Sequence, residues 1–400
     1  MRFTPFYEVA ATENNPRWAE LTARRGKLYS RTDDIRTEFF RDYNRILHSQ
    51  AYGRLKQKTQ VFFAPRNGHV CTRMEHVNHV ASVSYSLCKQ LGLNTELAMA
   101  IAIGHDLGHA PFGHHGETIL ADLMNEFSHD KFWHERNSLW FVDRIETLPG
   151  PDGKKYGLNL TYAVRDGIIC HCGEVDTHAV FPREEYIELE SMIKPAQYEP
   201  YTWEGCVVKI ADKISFFGRD IEDAAELGII DGDLYKKLVH LVKDALGEHI
   251  QVQDVTNTFL MHKFMIDLCK ESNPDLGLTF SPESLELMHV LRTFSETYIY
   301  DHPRLKTFEK HAKGVLQLIF DRLLIMWDGD DTLRNVRGLH RYPLTSQFFG
   351  DWLEKYSSAA QEDGIYDITD QHQYKRVIID YISGMTDDFA INSFNEIITF

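Results

Sequence analysis

Between His105 and Glu117 the chain reads HDLGHAPFGHHGE, which puts four histidines, one aspartate and one glutamate into thirteen positions. A hydrophobic core has no use for so many ligands and bases. Upstream, TRMEHVNHV places His76 and His79 three residues apart on one helical face, and downstream VVKIADKISFF carries Asp212 just after an apolar stretch. A carboxylate buried there needs a partner. His76, His105, Asp106 and Asp212 together mix imidazole with carboxylate, a set that suits Mn, Fe, Zn or Ni better than the oxygen-only sites typical of Mg, with Mn favoured. Four protein ligands leave coordination positions open, where a divalent metal can polarise a phosphoryl oxygen and activate a water. That is equipment for hydrolysis. No GxxxxGK[ST] motif occurs, so phosphates would have to be held by cationic side chains and metal rather than by a glycine-rich loop.

The elements that must position these groups read as helices. NTELAMAIAIGHDLG, HVNHVASVSYSLCKQLG, SLWFVDRIETL, DGDLYKKLVHLVKDALG and SPESLELMHVLRTFSETYIY carry apolar residues at three- and four-residue spacing. Asn94 or Thr95 can cap the first of these, and Gly104 and Gly108 flank its end, which sets His105 and Asp106 at the last turn. Strand signals are confined to KTQVFFAP at 58–65 and LPGPDGKKYGLNLTYAV at 148–164, each compatible with a small hairpin or a plain loop. The expectation is an all-α, multi-helix globular fold with at most a small hairpin. A soft break near Pro195 to Pro200 is the only internal boundary signal, and the candidate site straddles it.

At 400 residues with a net charge of −16, the chain can bury a large core, and it is not built overall to hold a polyanion. Basic residues do recur locally from Arg31 to Lys58, where a solvated helix face is the bland expectation. Six scattered cysteines and the absence of a secretory leader point to a reducing, cytoplasmic setting without disulfides. No apolar run approaches the ~20 residues that a membrane span requires, so no membrane partner is expected. CHCGE at 170–174 lacks a second cysteine pair to close a zinc site and reads as a loop or core position.

The pattern of His76, His105 with Asp106, and Asp212 resembles the HD-domain phosphohydrolases. Within them, RDYNRILHSQAYGRLKQKTQVF, TRMEHVNHV, HDLGHAPFGHHGE, GLNLTYAVRDGI, ADKISFFGRDIEDA and DYISGMTDDFA, in that order over about residues 30 to 390, resemble the deoxyguanosine triphosphate triphosphohydrolase family. That resemblance implies hydrolysis of a dNTP substrate at the α-phosphorus to a deoxynucleoside and inorganic triphosphate, in an HD-domain fold assembled as a homo-oligomer, a dimer or a hexamer. It further implies that Arg54, Arg73 and Lys213 contact phosphates, that Asp220 holds the sugar 3'-hydroxyl, and that Gln60 and Tyr381 line the substrate site. His114 would act on the reacting phosphate with Glu117 orienting it, and His109 would face the same pocket. Phe216 stands where the family has a tyrosine under the deoxyribose, so it can stack but cannot donate a hydrogen bond. Residues 1–30 are expected to form an N-terminal extension, 31–230 a catalytic core, and 231–400 a helical region that completes the pocket and makes oligomer contacts, all within one integrated domain. His79 is expected to support the fold, and the role of His134 stays open.

Two other readings remain at this point. Another HD-type nucleotide phosphohydrolase, such as a dNMP 5'-nucleotidase or a cyclic-nucleotide phosphodiesterase, would use the same four ligands without the triphosphate-binding cations. A non-catalytic sensor of nucleotides or single-stranded nucleic acid would draw on the basic segment instead.

Overall fold

Helix boundaries follow the capping chemistry of the sequence. Thr72 and Glu75 form a reciprocal capping box that starts the helix Arg73–Leu91, and Gly92, with φ of 87°, ends it in the left-handed conformation that glycine adopts without a Cβ penalty. Two residues on, the Asn94 side chain accepts from the amides of Glu96 and Leu97 and starts the helix Thr95–Gly104. That second helix is buried nearly all round, at Leu97, Ala98 and every position from Ala100 to Gly104. A helix apolar on all faces must sit at the centre of a domain. It packs against Arg73–Leu91, Glu38–Leu47, Tyr162–Cys170 and Trp203–Glu226, and these form the core layer.

The structure is a computed structural model and describes all residues except 1–4, 27, 29–33, 64–66, 129, 177–178, 248–254, 359, 362–363 and 400. The fold is all-α. Its one two-stranded sheet, among the described residues, is the hairpin β1 (Leu148–Pro149) with β2 (Lys155–Tyr156), antiparallel with Leu148 opposite Tyr156. The KTQVFFAP stretch forms no strand over its described part; Thr59 makes a single bridge to Thr72, and residues 64 and 65, like Arg31 of the basic run, lie outside the described residues. Among the described residues no helix is long and apolar enough to cross a membrane.

The chain around Pro195 to Pro200 is bonded to both sides of the soft break. The Tyr201 amide donates to Asp166 at 2.6 Å, and the buried Lys209 ammonium pairs with Glu199 at 2.7 Å. The N-terminal segment is also packed in: Phe6 is fully buried with its ring 4.8 Å from that of Trp203, and Ala11 donates its amide to the buried Glu204. At the other end, Pro303–Leu324 packs on Gly113–Asn125, Gln371–Ser383 and Asp387–Ile398.

Polar bonds fasten this C-terminal layer to the HDLGHAPFGHHGE loop. Asp387, 3% exposed, accepts from the Thr59 amide at 2.8 Å and the Phe112 amide at 2.9 Å. The buried Lys58 ammonium donates to the carbonyls of His109 and Ser383. Removing the carboxylate strands two buried amides, each costing about 1–3 kcal/mol. Asp387→Ala is therefore expected to lower unfolding stability by roughly 2–5 kcal/mol in urea titration. A loss below about 1 kcal/mol would show that the loop does not depend on this contact.

Candidate active site

The loop after Thr95–Gly104 is held by its neighbours at each turn. The Ser138 hydroxyl accepts from the Gly108 amide at 2.8 Å and donates to the His105 carbonyl at 2.7 Å, and Asn137 donates to the Gly108 carbonyl at 2.6 Å. Position 108 must be glycine, because a Cβ there would lie 2.1 Å from the Ser138 nitrogen. Phe112 and Gly113 then take φ of 66° and 63°, and this double left-handed turn launches the helix Gly113–Asn125 with His114 and Glu117 in its first turns.

A cavity of about 520 Å³ opens over this loop. Of the residues expected from sequence, it brings together Gln60, Arg73, His76, Asp106, His109, His114, Asp212, Lys213, Phe216 and Asp220 as lining, with His105 buried beneath and Glu117 beside His114. His76 Nε2 lies 2.8 Å from Asp212, and His105 Nε2 lies 3.6 Å from Asp106 and 3.7 Å from Asp212. His105 Nδ1 donates to the Ala102 carbonyl at 2.6 Å, so its Nε2 lone pair points toward the carboxylates, and that buried atom has no hydrogen-bond partner. An orphaned imidazole nitrogen facing two carboxylates and a second imidazole fits a first-row divalent ion.

Arg73 and Asp106, both nearly inaccessible, form an ion pair at 2.5 Å. Burial alone would raise the Asp106 pKa, but Arg73 and then His105 and His109 hold it well below the usual carboxylate range. Arg73 Nε and Nη2 are buried without partners, and the Lys213 ammonium stands 5.9 Å over the Phe216 ring.

His114 Nδ1 lies 3.2 Å from Glu117, and the same carboxylate binds His134 Nδ1 at 3.0 Å and the His134 amide at 2.8 Å. Burial disfavours a charge on His134, yet Glu135 and Glu117 outweigh it and raise its pKa to about 10. Glu117 is thus a fixed anion, while the His114 side chain, 71% exposed, presents its free edge to the cavity. The His109 ring stacks on that of His134 at 4.0 Å, with its Nε2 3.7 Å from Asp106.

Two expectations are corrected. Arg54 pairs with Glu146 at 3.1 Å and lies over Phe141 outside the cleft, because the turn Leu55–Gln57 sends Lys58 inward in its place. Tyr381 is buried against Phe349 and Trp352, away from the cavity; the DYISGMTDDFA string serves the site through Ser383 and Asp387 instead. His79 leaves the cleft as well and lines a small adjoining cavity.

Sequence reasoning missed four contributors. His134 was left without a role. His171, at the end of Tyr162–Cys170, repeats the His105 arrangement by donating Nδ1 to the Ile168 carbonyl at 2.8 Å, with its ring 4.8 Å from that of His105. Arg292 and Tyr300 come from the SPESLELMHVLRTFSETYIY helix and its continuation, whose periodicity signals a buried face and nothing about a cleft. Arg292 pairs with Asp176, and the Tyr300 hydroxyl donates to Asp220 at 2.6 Å.

Burial raises the Asp220 pKa from 3.8 to about 7, despite the Tyr300 hydrogen bond. A folded-state pKa above the unfolded one means that ionisation costs stability, a cost absent at pH 4, growing as pH rises, and complete above about 7. Asp220→Asn removes it. The variant is expected to gain roughly 1–4 kcal/mol over the parent at pH 8 and nothing at pH 4. Equal differences at both pH values in denaturant unfolding would contradict the shift.

Comparison with known proteins identifies related families over most of the chain. The HD domain family matches residues 73–216, and the phosphohydrolase-associated domain matches residues 354–396, which carry Ser383 and Asp387. A deoxyguanosinetriphosphate triphosphohydrolase-like protein of Caldanaerobacter subterraneus is 32% identical over 91% of this chain and 86% of its own. One of the same description from Desulfatibacillum aliphaticivorans is 32% identical over 91% and 88%, and one from Rickettsia bellii 29% identical over 93% and 95%. With an all-α fold, a buried His and Asp cluster and relatives matched almost end to end, the chain belongs to the deoxyguanosinetriphosphate triphosphohydrolase-like family of HD-domain phosphohydrolases.

Proposed function

We propose that the protein hydrolyses deoxynucleoside triphosphates to deoxynucleoside and inorganic triphosphate with the help of a divalent metal. One observation carries the reading: Arg73, with Nε and Nη2 buried and unpartnered, faces the same cavity as Lys213, the candidate metal ligands and His114. Cations and ligands around one space suit a chain of phosphates. Names of the relatives favour the same substrate class.

In this reading water attacks the α-phosphorus, the bond from phosphorus to the 5'-oxygen breaks, and the leaving oxygen gains a proton. His76, His105, Asp106 and Asp212 would hold a divalent ion, Mn²⁺ in preference to Mg²⁺, which supplies Lewis-acid polarisation of a phosphoryl oxygen when bound. Arg73 and Lys213 neutralise the phosphates. His114, steadied by Glu117, either takes the proton of the water or supplies that of the 5'-oxygen. Phe216 offers an apolar face to the sugar, and Gln60 and Asp220 offer acceptors to its 3'-hydroxyl.

Anion-exchange analysis after incubation with each dNTP, GTP and dGMP, with Mn²⁺ added, is expected to show triphosphate and deoxynucleoside from at least one dNTP. Pyrophosphate, orthophosphate or no product would overturn the reading. Separately, Asp106→Ala should abolish bound metal and activity together, whereas His114→Ala should keep the metal and lose activity by about 10²-fold or more. Equal loss of metal in both variants, measured by elemental analysis, would refute the division of roles.

A further inference from the structure

The helix Trp203–Glu226 serves two spaces at once. Asp212, Phe216 and Asp220 recur at helical spacing along the cleft, whereas Ser215 and Arg219, each one residue earlier, line the adjoining cavity of about 250 Å³. Gln60, His76, Phe216 and Asp220 line both and so form the wall between them.

The smaller chamber is polar, and its inner polar atoms are unused. Ser215 is fully buried and its hydroxyl makes no hydrogen bond, although a serine within a helix can donate to the carbonyl four residues back. Asn257 Oδ1, at the start of the helix Asn257–Glu271, is buried without a partner, and so is Gln60 Oε1 in the shared wall. The charged groups here are engaged: Arg219 pairs with Asp223 at 3.1 Å and donates to the His69 carbonyl, and Glu75 accepts from the Thr72 amide at 2.7 Å. Such a lining offers hydrogen bonds to a small neutral group and little to an ionic one. Buried polar atoms without partners carry a desolvation cost that a hydroxyl placed among them relieves.

The wall decides which hydroxyl that is. With the sugar on Phe216 and its 3'-hydroxyl at Gln60 and Asp220, the edge of the ring lies against the boundary of the chamber. In a ribose the 2'-hydroxyl stands on the next carbon and on the same face of the ring, toward the same wall. Phe216 is apolar there, and an apolar wall rejects an added hydroxyl by only about 10²-fold.

We propose that the catalytic cleft also takes ribonucleoside triphosphates, with the chamber behind Phe216 receiving the 2'-hydroxyl. The inference rests on the triphosphohydrolase reading and widens its substrate class. Water adds to the α-phosphorus, the bond to the 5'-oxygen breaks and that oxygen gains a proton, so the products are a ribonucleoside and inorganic triphosphate. Ser215 and Asn257 then set sugar selectivity without touching the reacting phosphorus.

The test is steady-state hydrolysis of the four dNTPs and the four matching ribonucleotides by the full chain with Mn²⁺, with triphosphate and nucleoside quantified by anion exchange. Each ribonucleotide whose deoxy counterpart is turned over is expected to release triphosphate with kcat/KM within about 10²-fold of that counterpart. Asn257→Leu, which fills the chamber with an apolar group, is expected to lower kcat/KM for the ribonucleotide at least about tenfold more than for the deoxynucleotide, through KM rather than kcat. Ser215→Ala, which adds no bulk, is expected to move the ratio in the same direction. A wider gap between the two sugars, with triphosphate still released from the deoxynucleotide, would overturn the inference and leave the hydrolytic reading standing. Equal losses for both sugars in the two variants would overturn the role of the chamber. Absence of triphosphate from every dNTP would bring down the reading and this inference together.

Discussion

Asp106 is a carboxylate almost withdrawn from solvent at the floor of the cleft, and most of the site exists to keep it ionised. An isolated buried carboxylate would take up a proton, because desolvation penalises the charge. Arg73 at 2.5 Å prevents this, with imidazoles of His105, His109 and His134 within 3.6 to 3.9 Å. The same arrangement consumes one Arg73 nitrogen and leaves two buried without partners. A guanidinium fixed at one end and unsatisfied at the other is preorganised for a second anion. Glu117 plays the matching part on the far side, binding His134 and steadying His114 at once.

Such a cluster of charges is tolerable only in a rigid frame. The all-apolar helix Thr95–Gly104 supplies it by burying almost every side chain directly before His105. Backbone contacts do the rest: Ser138 and Asn137 clamp Gly108, and Lys58, Ser383 and Asp387 tie the loop to helices nearly 300 residues further along the chain. The phosphohydrolase-associated segment at 354–396 therefore contributes through buried polar bonds to the loop backbone rather than through a side chain in the cleft.

Charge is distributed unevenly in the rest of the molecule. The cleft carries acids that are paired or shifted by burial, as Asp220 is, whereas the concavity around Lys355 is lined by Arg25, Arg144, Lys154 and Lys155 with Asp143 as its one carboxylate. Net charge alone would have hidden both. An excess of acids over bases describes the average surface and says nothing about where the few uncompensated groups converge.

The ligand types, their order and the helices that carry them were legible in the sequence, because caps, glycines and apolar spacing act over a few residues. Thr72 with Glu75, Asn94 and Gly104 delimit the two helices that deliver His76, His105 and Asp106. Resemblance over ordered motifs reached Arg73, Asp212, Lys213 and Asp220, all of which line the cleft or its ligand set. It misplaced Arg54 and Tyr381, since a motif records which residues recur together and not which of them turns inward. Whether Arg54 or Lys58 enters the core is set by one turn of helix at Leu55–Gln57 and by the distant carbonyl of Ser383 that receives the ammonium. His171, Arg292 and Tyr300 came to the site from segments read only as helix or loop. Local chemistry determines elements within a few residues of themselves; which charges meet is decided only when packing closes long loops and removes the water between them.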